Sequence, residues 1–399
     1  MNRTSSVALA LVMTLGALPR VWSQDTGTTQ EQVRQAVDRS LPFLEKEGTA
    51  WIQKRACMSC HTVTFMLWSH AEAQAKGIKV DPKKLASWTE WSLNDSMSQR
   101  TRLKLTDPGL EALKGEAIPA ETLAKLAPLT KKPAVREGDF LRELAKVLSP
   151  EEIGLNQASL LKIASKEKGD GGGLDTMNQM LLAGVYGGQA SKESAFVAAT
   201  RTRIVELQQV DGSWKPGGQL GGLGRSPAEA TEVTTMWTVL SLSGAQEATV
   251  KAGIERALAF IRKAKPGKTH EGLILRALVE KEFGDAELSR TLLKEVLAHQ
   301  NSDGGWAWLQ GGASDAFATG QVLYAASVSG STDDDLAIKR AWTYLVETQG
   351  KDGSWTVSPS AITSPTTLPD RIKRLEPIYR YWGTAWATIG LARSLPAKP

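Results

Sequence analysis

The sequence predicts an all-α chain whose helices pair into two concentric layers, and three observations predict it. The first is a repeat: Gln208-Gln209-Val210-Asp211-Gly212-Ser213-Trp214, Gln300-Asn301-Ser302-Asp303-Gly304-Gly305-Trp306 and Gln349-Gly350-Lys351-Asp352-Gly353-Ser354-Trp355 all read Q-x-x-D-G-[SG]-W. The second is spacing, since the motif tryptophans lie 92 and 49 residues apart, and 92 is two units of 46. Taken as two units of about 46, the 92-residue spacing is the signature of an array with one degenerate copy. The third is the character of the flanks: an amphipathic helical pattern precedes each copy, and an apolar pattern rich in small residues follows it.

The elements then fall in order. Residues 32–44 and 60–76 form a first pair, and 174–186 reads as a further second helix. Residues 195–208 and 230–243 flank the first motif, and 250–263 with 270–282 fill the degenerate copy. Residues 292–300 with 316–328, and 336–349 with 381–395, flank the second and third motifs. The second helix of each pair is apolar nearly all round and is expected inside; the first carries a charged face and is expected outside. In the motif, Asp and Gly suit a tight turn, Gln can bond a helix end, and Trp can stack on the next repeat. Residues 96–165 break the rhythm, with Pro108, Pro119, Pro128 and Pro133 dividing them and Ser149-Pro150-Glu151-Glu152 opening a capped helix. They are expected to be one or two short helices and loops inserted into a single domain spanning 24–399.

The repeat resembles that of the QW-repeat family of terpenoid cyclases and protein prenyltransferases. The resemblance covers residues 170–399 well and the first 95 more weakly, and it implies an α/α toroid of about six helix pairs. It implies no chemistry by itself, because the repeat residues are structural.

At the N-terminus, Arg3, an apolar run over 7–18 and Pro19-Arg20-Val21-Trp22-Ser23 before Gln24 read as a cleavable secretory signal over residues 1–23. The run is too short for a bilayer core, which needs about 20 residues. Cleavage deletes Arg3 and Arg20 and no acid, taking the formal charge from +5 to +3. Lysines and arginines are interleaved with acids along the helical faces, so no nucleic-acid surface is expected. The expected location is outside the cytoplasm, in a bacterial periplasm.

The two cysteines of the chain lie in Cys57-Met58-Ser59-Cys60-His61. C-x-x-C-H is the spacing of c-type haem attachment: two thiols form thioethers to the vinyl groups and the next imidazole reaches the iron. The expected cofactor is one covalent haem c, with Cys57 and Cys60 as anchors and His61 as proximal ligand. Export favours this reading, because unpaired structural cysteines are scarce in that compartment. Three other readings stay open. A structural zinc site would need more soft ligands, a thioredoxin-like pair would need a βαβ context, and two inert cysteines would leave the histidine as coincidence. The motif sits where a connecting loop enters an inner helix, and Trp51 precedes it much as the motif tryptophans precede theirs.

His70 and Met66 cannot share an iron with His61 on one continuous helix, being about 180° and about 140° away round the axis. Met97, in a polar segment with no core to fill, is the first candidate for distal ligand. Met177, Met180, Met236, His270 and His299 are the others, and an open sixth position is the remaining option.

Squalene cyclases, among the resembled proteins, protonate substrate with an Asp-rich D-x-D-D motif at the start of an inner helix. The corresponding stretch, Ala313-Ser314-Asp315-Ala316, keeps one acid, Asp315. A lone carboxylate lacks the neighbours that tune such an acid, and capping the helix at Ala316 is its competing role. Asp333, Asp334 and Asp335 read as a solvated helix start. Asp175, Glu229, Glu232 and Glu271 stand near the starts of inner helices, where they can face a cavity or cap. A prenyltransferase-type zinc site would need a cysteine beyond the two in the haem motif. The leading expectation is therefore a single-haem cytochrome serving an unidentified redox partner protein. The rivals are a terpenoid or polyprenyl-lipid enzyme with Asp315 as residual acid, an apolar ligand held in the cavity, and a protein-docking scaffold with an ancillary haem.

Overall fold

The computed structural model describes residues 27–396, apart from 56–60, 93–100, 115–117, 133–134, 154–164, 169–173, 187–194, 218–222, 266, 333–334 and 359–368. In chain order the elements are α1 (Gln30–Arg55), α2 (His61–Ala75), α3 (Pro82–Glu90), β1 (Thr101–Lys104), α4 (Asp107–Leu113), α5 (Ala120–Leu126), β2 (Val135–Arg136), α6 (Glu137–Leu144) and β3 (Ser165–Lys168). The remaining described helices are α7 (Leu174–Tyr186), α8 (Ala195–Glu206), α9 (Pro227–Ser241), α10 (Ala248–Lys263), α11 (His270–Phe283), α12 (Ala286–Ala298), α13 (Ala316–Val328), α14 (Leu336–Thr348) and α15 (Pro369–Ser394), so the described fold is predominantly helical.

The helices start where short polar side chains satisfy free backbone N–H groups. Ser226, Thr269, Asp285 and Asp315 each accept from a backbone N–H in the first turn of α9, α11, α12 and α13. Burial then sorts them as the patterning predicts. In α13 every residue from Ala316 to Ala326 is buried, whereas α14 buries only Ile338, Ala341, Trp342 and Leu345. The buried helices α2, α7, α9, α11, α13 and α15 touch in that order, and α15 touches α2, so their contacts run in a cycle. Among the more exposed helices, α8 packs on α7, α10 on α9, α12 on α11 and α14 on α13, while α1 lies against α2, α14 and α15. One apolar cluster runs through all six buried helices.

The repeat motif is the joint between successive exposed helices. The Gln side chain donates to a carbonyl of the following one: Gln208 to Gly253 at 2.8 Å, Gln300 to Ala337 at 2.8 Å, and Gln349 to Ala36 at 2.8 Å. The last bond joins the end of the array to α1. Trp214, Trp306 and Trp355 are buried and donate Nε1 to the carbonyl ten residues earlier, Ile204, Val296 and Leu345, at 2.7 to 2.8 Å. Gly353 has φ +82 and lies so close to α1 that an added Cβ would fall 2.0 Å from the Arg39 carbonyl oxygen, which is why only glycine fits.

The inserted segment is more than short helices and loops. β1 pairs antiparallel with both β2 and β3, Leu103 facing Val135 on one side and Lys166 on the other. Leu103, Leu105, Leu113, Leu126, Leu129, Phe140, Leu144 and Leu148 form a separate small core. The expected helix start at Ser149 is a capping box: Ser149 N–H donates to Glu152 at 2.8 Å and Glu152 N–H to Ser149 Oγ at 3.2 Å. At the other acidic start, Asp335 is the N-cap residue of α14, and its carboxylate accepts from Thr332 N–H at 3.0 Å ahead of the helix. Among the described residues no helix is long and apolar enough to cross a membrane.

Candidate functional site

His61 opens α2 directly after the cysteine pair, and Cys57 and Cys60 lie outside the described residues. The His61 side chain is 2% exposed. Its Nε2 stands 3.4 Å from Asp175 Oδ1 on α7, and its ring lies 5.0 Å from that of Trp382 on α15 and 5.7 Å from that of Phe65. Burial pushes the imidazole pKa below its ordinary value, against the opposing pull of Asp175. Two thiols followed by an imidazole are the donor types that the covalent haem implied by the motif would need. Next to His61 the backbone is pinned, because the Tyr381 hydroxyl donates to the Thr62 carbonyl oxygen at 2.5 Å.

From Trp382 a line of side chains runs across the starts of the buried helices. Trp382 is 6.4 Å from Phe317, Phe317 is 5.1 Å from Trp308, and the Arg225 guanidinium lies over the Trp308 ring at 4.7 Å. The wholly buried Arg225 side chain pairs with Glu271. Glu271 also accepts from Trp237 Nε1 and Gln321 Nε2, both at 3.2 Å, which ties α9, α11 and α13 together. Burial lowers the Arg225 pKa to about 9 despite Glu229 and Tyr379 nearby, and raises that of Tyr379 to about 12. Glu229 takes the Thr269 N–H at 2.9 Å and its hydroxyl at 2.6 Å, so it caps the neighbouring helix. Glu232 meets Arg276 at 3.0 Å, with burial pushing its carboxyl up to about 7.

Asp315 is engaged as a cap. Oδ1 accepts from Ala318 N–H and Oδ2 from Trp308 N–H, both at 2.7 Å, and burial raises its pKa to about 6 against these bonds. Both oxygens therefore serve the backbone. Met97 lies outside the described residues. Met177, Met180 and Met236 sit in the apolar core, and His70 faces away from His61, bonding the Met66 carbonyl at 2.7 Å and lying 5.2 Å from the Trp88 ring. His270 and His299 lie together, with 3.3 Å between Nε2 and Nδ1. Farther along the axis, rings from four buried helices meet: Trp68 is 5.0 Å from both Tyr324 and Trp386, and Trp386 is 6.2 Å from Trp237. Among the described residues no group of three or more His, Cys, Asp or Glu could hold a metal ion.

Arg225, Trp382 and Tyr379 were not marked by the sequence. Arg225 shares a glycine-rich connection with Lys215, and only the Ser226-Pro227 helix start beside it signals that its position is fixed.

No family model matches this chain, and no curated protein does. Among solved structures it is similar to a polysaccharide lyase, with a TM-score of 0.51 and 10% identity over 92% of this chain and 98% of that one. At that identity the likeness is one of fold alone.

Proposed function

We propose that this protein is an exported, single-haem c-type cytochrome built on an α/α toroid, passing one electron at a time to a partner protein. The observation that carries the reading is Cys57-Met58-Ser59-Cys60-His61 ending in the first residue of a buried helix, where the His61 imidazole stands beside Asp175. Cys57 and Cys60 would hold the haem covalently and His61 would be the proximal ligand. When bound, the haem supplies a one-electron ferric/ferrous couple. His61 Nε2 faces Asp175, so a haem held through that nitrogen would take the place of the carboxylate contact. Trp382 and Phe65 exclude water from the imidazole and restrict its rotation. The cycle of six buried helices, with the Gln349 to Ala36 bond across its ends, supports the toroid, as does the likeness in fold. Cleavage of residues 1–23 and a periplasmic location belong to the same proposal.

The test is expression of the full chain in a host with haem-maturation machinery. The expected product is red, with a Soret band that survives acid-acetone extraction and is lost in a Cys57→Ala/Cys60→Ala variant. A colourless or extractable product sinks the reading. The spectrum of the reduced protein with carbon monoxide shows whether the sixth position is open, and Met97→Ala tests whether that methionine occupies it.

A further inference from the structure

We propose that His270 and His299 form a second, separate metal site, binding one divalent ion of the imidazole-preferring class, Zn(II), Cu(II) or Ni(II). His270 is the first residue of α11 and 1% exposed. Its backbone N–H donates to the Trp308 carbonyl at 3.1 Å and its ring Nδ1 bonds the Ala307 carbonyl. A carbonyl oxygen only accepts, so Nδ1 carries the hydrogen. With Nδ1 donating to Ala307, the neutral ring carries its lone pair on Nε2. A histidine whose other N–H is anchored on a backbone carbonyl is in the arrangement that metal-binding imidazoles use.

Nε2 of His270 faces Nδ1 of His299 at 3.3 Å, and the ring centres are 5.4 Å apart. Two imidazole nitrogens each about 2.05 Å from one tetrahedral ion stand about 3.3 Å apart, with ring centres about 5.3 Å apart. Two rings meeting head-on in a straight hydrogen bond at the same nitrogen separation would place the centres about 5.6 Å apart. The observed separations would let an ion take the place of the hydrogen bond that joins the two rings here. His299 is half-buried at the end of α12, which gives an ion an entry path and leaves its remaining positions to water. Imidazole donors without thiolates or carboxylates select for zinc, copper and nickel over magnesium or calcium.

The ion would pin the start of α11 to the end of α12. Calorimetric titration of the untagged full chain with zinc chloride tests this, alongside His270→Ala and His299→Gln. Zinc bound elsewhere is common to all three proteins and cancels in the comparison. The expected result is one equivalent whose affinity falls about tenfold or more in each variant, with the zinc-induced rise in melting temperature lost as well. The half-buried His299→Gln keeps the test valid if His270→Ala fails to fold. Unchanged zinc affinity in a folded His299→Gln, or no zinc bound by the wild-type chain, overturns the proposal.

Discussion

Replacing Gln349 by alanine tests whether the array closes on itself. Gln349 Nε2 donates to Ala36 at 2.8 Å and to Gly353 at 3.0 Å, while its Oε1 accepts from Arg39 Nε at 3.1 Å and from Arg39 Nη2. Each neutral bond contributes about 1 kcal/mol net, and the exposed Arg39 contact adds less than a buried charged bond would. The expected loss is about 2–3 kcal/mol, measured by equilibrium urea unfolding. Gln208→Ala is the internal control, because Gln208 makes the same bonds to Gly212 at 2.9 Å and Gly253 at 2.8 Å between neighbouring repeats. A double-mutant cycle with Arg39→Ala isolates the side-chain pair. If Gln349→Ala costs under about 0.5 kcal/mol while Gln208→Ala costs about 2, the contact between residues 36 and 349 does not hold the ends together and the reasoning fails.

Three further outcomes are expected. Gly320→Ala would place a Cβ 2.2 Å from the Trp386 carbonyl oxygen, so forcing α13 from α15 outweighs the roughly 1 kcal/mol of helix propensity gained, and a loss of about 3 kcal/mol is expected in urea. Gly217→Ala, with nothing near its added methyl, should be nearly silent, and equal effects at the two sites would refute the packing argument. Burial lowers the pKa of His70, so the neutral ring is favoured by folding; its contribution is complete above about pH 6.5 and falls as the pH drops below that. His70→Met should therefore gain stability relative to wild type between pH 6.5 and 5 in thermal melts, and a constant difference across that range contradicts the assignment. Asp315→Ala strands the buried Trp308 N–H and removes the cap of α13, at a cost of about 2–3 kcal/mol; a variant as stable as wild type would return Asp315 to consideration as a chemical group.

The buried helices were legible because each carries its own signal. Apolar residues on every side of 316–328 leave no face for water, and the observed α13 has those bounds. α15 begins at Pro369, twelve residues before the apolar pattern, because its first three turns are charged and contain Pro377, a residue that ordinarily ends a helix. The sheet was not legible. β3 is Ser165-Lys166-Glu167-Lys168, with no alternation, and it is a strand through pairing with β1 more than sixty positions earlier. The same reason hid the candidate site beyond His61. Glu229, Glu271 and Asp315 were visible as acids near helix starts, but Arg225 and the His270–His299 pair acquire meaning only from neighbours remote in the chain.

The cycle of contacts sets an order of events during synthesis. α2 has two buried neighbours, α7 and α15, and α15 occupies almost the last residues of the chain. Until residues 369–394 have emerged, one flank of α2, including His61 where it meets Trp382, has no partner. A modifying enzyme that needs residues 57–61 as an open, extended segment has its opportunity in that interval. If the motif takes a haem as proposed, attachment would precede the docking of residues 369–394 against α2, and a chain truncated before residue 369 should be modified no less fully than the whole chain.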